Sequence, residues 1–321
     1  MTSPLLNLPG AVQAEGRDEG VAAHYGELYG EQRALADGRG FVDLSHRGVV
    51  TVTGPERLSW LHLLITQHVT ELPPGQATEA LILSANGHIE HQLYLVDDGE
   101  TVWAHVEPGS QEALIAYLES MKFFYRVEVA DRTAEFAVVH LPAGSIAEVP
   151  EEYVVRETPH GRDVFLPREE LEAFAAAHGP AAGLLAYEAL RVEAHRPRLG
   201  QETDHRTIPH EIGLIGTAVH LQKGCYRGQE TVARVHNLGK PPRRLVFLHL
   251  DGSEVHLPPH GAPVRLAADG AEGRQLGFVT TAVRHHELGP IALALVKRNV
   301  PVDAPLLAGK TAAAQEVVVA P

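Results

Sequence analysis

The sequence predicts an α+β fold: ferredoxin-like αβ lobes followed by a small C-terminal antiparallel β-barrel. Two observations predict it. Up to about residue 240, strand-like and helix-like runs follow the order strand, helix, strands, helix, strand, close to the split βαβ pattern. Beyond the double proline of "GKPPRR", 239–244, only short strand-like runs separated by turn residues remain.

The elements follow in order. "VVTVTG", 49–54, is β-branched and alternating, which predicts a strand. Pro55 then suits the first turn of a helix, and Leu58, Leu61, Leu63 and Leu64 give that helix its apolar side. "TEALILS", 78–84, and "HIEHQLYLV", 88–96, read as a hairpin about Asn86-Gly87. "TVWAHV", 101–106, is a further strand. "SQEALIAYLESM", 110–121, is a helix capped by Ser110, and "YRVEVAD", 125–131, a strand. "EFAVVHL", 135–141, is a strand, while 168–179 and 183–194 are helices, the second stopped by Pro197 and Gly200. The barrel strands are read in "LVFLHL", "APVRL", "QLGFVTTAV", "IALALV" and "VPVDAPLL". These readings divide the chain into a flexible lead-in, 1–24, an αβ domain, 25–240, and a barrel domain, 241–321.

Composition narrows the function. No uninterrupted apolar run approaches the roughly 18 residues of a membrane span, and the N-terminus has no basic start of a signal peptide. A single cysteine makes no intramolecular disulfide, which favours a reducing cytoplasm. The net charge of −14 argues against nucleic acid as the main ligand and against a membrane surface. Residues 222–244 run against this trend. Lys223, Arg227, Arg234, Lys240, Arg243 and Arg244 face Glu230 alone, a net of +5, which leaves −19 for the rest. Either a solvated basic face or an anion site gives this pattern, and its coincidence with the cysteine favours an anion site. The 20 histidines show no spacing characteristic of zinc, so no metal site is expected.

That cysteine, Cys225, lies in "LQKGCYRGQE", 221–230. A lone cysteine is most often a small buried hydrophobe. Here Lys223 and Arg227 flank it at two residues either side, and "QETVARVHNLG" reads as a following helix ending at Gly239. Cations and a helix N-terminus favour a reactive thiolate. Gly224 and Gly228 let the backbone turn tightly. One thiolate does not make an iron–sulfur site, which needs about four.

Together these segments resemble the folate-binding superfamily that contains the T-protein, the aminomethyltransferase of glycine cleavage, and within it the YgfZ-type branch. Lys223, Gly224, Cys225, Tyr226, Gly228, Gln229 and Glu230 match that branch's K-G-C-[aromatic]-x-G-Q-E block. "EALRVEAHRPRLG", 188–200, is similar to the L-R-x-E-A-G-x-P segment, and "IPHE", 208–211, to the I-P-x-E that follows it. "GFVDLSHRGVVTVTGPE", 40–56, and "GFVTTA", 277–282, resemble the opening segment and a barrel turn. The resemblance covers about residues 25–310 and implies lobes around a central pocket holding tetrahydrofolate. It assigns Glu193 to the pterin, whose adjacent N–H donors suit a bidentate carboxylate. Tyr187 is assigned to stacking and Arg47 to the pocket. Lys223, Tyr226, Arg227, Gln229 and Glu230 are assigned to cofactor binding, and Cys225 to the chemistry.

Two positions depart from the pattern. His195 replaces a glycine. Where T-proteins carry an aspartate pair after the hairpin turn, this chain has His91 and Gln92, with Glu90 one residue out of phase. The leading reading is therefore a folate-binding protein that assists iron–sulfur cluster assembly or repair in client enzymes. It would act through tetrahydrofolate and Cys225, without classical aminomethyl transfer. The alternative is a folate-dependent aminomethyltransferase or one-carbon transferase. A third reading, a thiol redox protein, lacks a resolving cysteine.

Overall fold

A computed structural model describes residues 2–321. The chain divides into two compact units. One holds the residues up to Ile82, His91–Tyr187 and Gln222–Tyr226; the other holds Leu83–Glu90, Glu188–Leu221 and Arg227–Pro321.

The first unit opens with the antiparallel pair β1 (Val12–Gln13) and β2 (Ala22–His24), followed by α1 (Leu28–Ala36) and β3 (Phe41–Asp43). The expected flexible lead-in thus carries regular structure, with Leu5 and Val21 buried. Next come β4 (Gly48–Thr53), α2 (Arg57–Leu64), β5 (Ala77–Leu83), β6 (Ile89–Asp97), β7 (Thr101–Val106), α3 (Gln111–Ser120) and β8 (Glu128–Asp131). These strands form one sheet in the order β5-β6-β7-β4-β8. Strand β4 pairs antiparallel with both β7 and β8. That is the ferredoxin-like arrangement extended at one edge by β5. Ser110 occupies the start of α3, but its hydroxyl donates to the Glu107 carbonyl at 2.6 Å instead of capping the helix amides.

The second sheet of this unit is built from β9 (Phe136–Pro142), β10 (Val154–Thr158) and β11 (Gly161–Pro167), with α4 (Leu171–Ala177) and β12 (Ala181–Ala182) after them. Its order is β10-β11-β9-β3-β12. Alternation decides what each face meets. Val50, Val52, Ile82, Leu93 and Leu95 of the first sheet pack on α2 and α3 with Trp60, Leu61 and Leu114. Ala137, Val139, Leu141, Val164 and Leu166 of the second pack on Leu171 and Phe174 of α4. The opposite faces meet each other. Trp103 lies against Phe136 and Phe165, with ring centres 4.8 and 5.9 Å apart. Sequence reading misses β10 and β11 because their meeting face carries Arg156 and Asp163, which interrupt the apolar pattern.

α5 (Leu184–Glu193) leads from the first unit into the second. α6 (Gln229–Leu238) precedes a six-stranded closed barrel: β13 (Arg243–Leu250), β14 (Pro263–Leu266), β15 (Gly277–His285), β16 (Gly289–Lys297), β17 (Leu306–Ala308) and β18 (Thr311–Val317). Pairing of β13 with both β16 and β18 closes it. Small inward residues, among them Val246, Val264, Val279, Ala292, Ala294 and Ala308, fill the narrow interior. On the outside, Leu245, Phe247, Val283 and Leu293 pack against Ala189 and Val192 of α5.

Candidate functional site

In the first unit, strand register assembles a buried polar cluster between the sheets. Asp163 of β11 stands between Arg156 of β10 and His140 of β9, its direct cross-strand neighbours. On the facing sheet, Tyr94 of β6 pairs with His105 of β7. Asp163 accepts hydrogen bonds from His105 Nε2 at 3.1 Å, His140 Nδ1 at 2.8 Å and Arg156 Nη1 at 2.8 Å. The rings of Tyr94 and His105 stack at 4.8 Å. Burial pushes His105 down to about 4 against the pull of Asp163, so its imidazole is neutral at neutral pH. Burial also works to raise the Asp163 pKa, but the two histidine hydrogen bonds outweigh it and hold the carboxyl well below its usual range.

Arg47, immediately before β4, is only 2% exposed. Its Nη1 lies 3.3 Å from His105 Nδ1, and its Nη2 lies 3.5 Å from Glu107. Its Cζ is 5.9 Å from the ring centre of Tyr187 and 5.6 Å from that of Tyr94. The structure therefore brings together two residues singled out in sequence, Arg47 and Tyr187. Sequence reasoning missed Tyr94, His105, His140, Arg156 and Asp163. The available signal was a polar residue at the inward phase of an otherwise apolar strand, as in "TVWAHV" and "GRDVFL".

The cysteine loop of this unit is anchored by Lys223. Its ammonium donates to the carbonyls of His62 and, at 2.5 Å, Ile65, where α2 ends. A cation suits this site, since those carbonyls lack helical partners and carry the negative end of the helix dipole. Burial nevertheless pushes Lys223 down to about 8. Its Nζ also lies 5.2 Å from the Tyr226 ring centre. Cys225 is exposed.

The strand that departs from the family pattern is resolved by alternation. Gln92 faces the polar layer with Tyr94, and its amide donates to Glu79 of β5 at 2.6 Å. His91 points to the helix side, its ring centre 6.3 Å from that of Tyr117 in α3. A carboxylate is thus present beside position 92, supplied by the neighbouring strand.

In the second unit, Glu193 ends α5 with its side chain 45% exposed, 3.2 Å from His285 Nε2. Burial lowers the His285 pKa although Glu193 opposes it. His195, two residues on, has φ +54°, the left-handed region that explains a glycine in the family pattern. Gly228 begins α6 at φ +82°. A Cβ there would meet the Ser84 carbonyl at 2.5 Å and Gly87 Cα at 3.0 Å, so the start of α6 rests directly on the hairpin turn. Arg227 reinforces the contact through Glu90 at 2.9 Å. Gln229 and Glu230 form the first turn of α6, where a carboxylate suits the dipole.

Other family segments turn out to be framework. Arg191 of "LRVEA" joins Glu188 at 2.7 Å and Glu202 at 2.9 Å. A bulge between Val279 and Thr281 lets both Thr280 and Thr281 hydroxyls reach Glu202 Oε1, at 2.9 and 2.5 Å, which regular alternation forbids. Glu211 of "IPHE" accepts from Arg243 at 2.8 Å, and Asp204 takes the same guanidinium at 2.5 Å. The expected anion site gives way here. Arg243 is neutralised, Arg244 is fully buried on Val300 and Gln315, and Lys240 Nζ donates to Pro321.

A cavity of about 870 Å³ in the first unit is lined by Gly38–Gly40, Ser145–Glu151 and Ala177–Pro180, none of them a candidate residue. Among the described residues, no group of three or more His, Cys, Asp or Glu could hold a metal ion, and no helix is long and apolar enough to cross a membrane.

The chain is a mixed α+β fold with a closed antiparallel barrel. Residues 22–148 match the GCVT N-terminal domain. The chain is similar to the aminomethyltransferase of Herpetosiphon aurantiacus, 29% identical over 310 residues, covering 86% of this chain and 84% of the relative. It is 28% identical over 309 residues to that of Rubrobacter xylanophilus, covering 86% and 81%. In fold it is similar to the glycine cleavage system aminomethyltransferase T from Bartonella henselae, with a TM-score of 0.80 at 20% identity over 98% of this chain and 94% of that one. Residues 22–148 are thus similar to a GCVT domain, and the relatives named here are aminomethyltransferases.

Proposed function

We propose that this protein binds tetrahydrofolate and assists iron–sulfur client enzymes through Cys225, without acting as an aminomethyltransferase. The observation that carries the reading is Gln92. At the position facing the polar layer, β6 offers an amide that donates to Glu79 instead of a carboxylate of its own. Two further features support the reading. Arg47 and Tyr187 converge on one side of the polar cluster, and Glu193 retains an exposed carboxylate for the pterin donors. Cys225 stands exposed on a loop pinned by Lys223, accessible to a partner protein. A cluster needs about four thiolates, so this single one would act on a cluster carried by the client.

A second reading, folate-dependent aminomethyl transfer, is favoured by the aminomethyltransferases among the relatives and by the Glu79 carboxylate itself. One pair of measurements decides. Calorimetry with tetrahydrofolate should show binding, weakened in Glu193→Gln. Incubation with an aminomethylated carrier protein and tetrahydrofolate should release no ammonia above background. Ammonia release that disappears in Glu79→Gln would establish the second reading in its place.

A further inference from the structure

We propose that Asp163 is a positioning residue that sets both Arg47 and Tyr187, each through one histidine. The inference rests on the tetrahydrofolate reading of those two residues. An ionised carboxylate only accepts hydrogen bonds, so both histidines must turn an N–H toward it. His105 gives Nε2–H at 3.1 Å, which leaves Nδ1 as a lone pair, and this nitrogen faces the Arg47 Nη1 donor at 3.3 Å. His140 gives Nδ1–H at 2.8 Å and presents its ring to Tyr187, with centres 5.2 Å apart and planes at 72°. Arg47 and Tyr187 then meet each other at 5.9 Å. The five side chains form a closed circuit: Asp163, His105, Arg47, Tyr187, His140. Stacking on Tyr94 fixes the plane of His105, and Arg156 holds the remaining direction on Asp163. A buried ion cluster serving stability alone does not require this tautomer, nor a ring turned toward each of two neighbouring residues.

Asn at position 163 offers one acceptor and one N–H₂ donor, so one histidine must reverse its tautomer. For His105 that places N–H against N–H at Arg47. His105→Phe retains a ring on Tyr94 but deletes the relay. His105→Gln keeps it, with its amide donating to Asp163 and its carbonyl accepting from Arg47. Loss of one hydrogen bond to a charged group typically changes affinity by roughly ten- to hundredfold. The test is tetrahydrofolate affinity by calorimetry on wild type, Asp163→Asn, His105→Phe and His105→Gln. Each is checked for native fold by circular dichroism, and wild-type histidine tautomers are read from long-range ¹⁵N–¹H NMR. Expected are Nε2–H for His105, roughly tenfold weaker binding in Asp163→Asn and His105→Phe, and binding within about threefold of wild type in His105→Gln. If Asp163→Asn fails to fold, the two His105 variants carry the test. Wild-type affinity in folded His105→Phe, or an Nδ1–H tautomer of His105 in the wild type, overturns the positioning role and leaves the folate reading standing. A wild type that binds no tetrahydrofolate overturns the folate reading, and the positioning role with it.

Discussion

His195 holds a conformation that few side chains tolerate, φ +54°, with its ring 4.9 Å from Phe247. A left-handed backbone costs a non-glycine residue roughly 1–2 kcal/mol, whereas the ring contact returns part of that. His195→Gly should therefore raise stability by about 0.5 kcal/mol, and His195→Ala, which keeps the strain and loses the ring, should lower it. Thermal melts ordering the three as Gly above His above Ala would support strain as the dominant effect; Ala above Gly would sink it. His105 makes a second residue-scale prediction. Its folded pKa, about 4, lies below the ordinary histidine value of about 6.5. Between those values the unfolded chain binds the extra proton, so stability is full above pH 6.5 and falls as pH drops toward 4. The loss is at most about 3.5 kcal/mol at roughly 1.4 per unit. His210 is also pushed down to about 4 and contributes over the same window. Denaturant melts at pH 7 and 4.5 should show a smaller acid loss in His105→Gln than in wild type, with part of it remaining.

Among elements, the start of α6 and the β5–β6 turn depend on each other through two glycines. A Cβ at Gly228 would clash with backbone at 2.5 Å, and one at Gly87 with Thr231 Cβ at 2.8 Å. Gly16 has a comparable φ, +68°, but open space around it. Gly16→Ala should cost only the backbone strain, about 1 kcal/mol, and Gly228→Ala about 2–4. Equal losses in urea melts would mean that the close approach adjusts without cost. The barrel shows the same logic. Its bulge at Thr280 is what lets two adjacent hydroxyls share Glu202, so the "GFVTT" segment is a device for closing the barrel onto Arg191.

For the whole molecule, the prediction concerns Cys225. Cys225→Ser is nearly isosteric, and the residue is exposed, so the melting temperature should hold within about 2 °C. Tetrahydrofolate affinity should also hold. In cells carrying only the mutant, iron–sulfur client enzymes should lose activity while an enzyme without a cluster does not. Full client activity in Cys225→Ser would remove the thiol from the mechanism.

Much of this was legible in the chain. Periodicity located β4 to β9, α2 to α6 and the first four barrel strands, because each buries one apolar face and shows it at period two or near four. The cysteine block, Glu193, Tyr187 and Arg47 were singled out as candidates through resemblance to a family pattern. Tertiary structure decided what those residues touch. Asp163 and His105 lie 58 positions apart, and Gln92 and Glu79 lie 13 apart. Such pairs leave no local period to read. Cross-strand register and the meeting of two sheets create them, and neither exists until the sheets have formed. The cations of 222–244 illustrate the same limit. Sequence placed them side by side as charge, and only folding showed Lys223 pinning a helix end and Arg243 already neutralised.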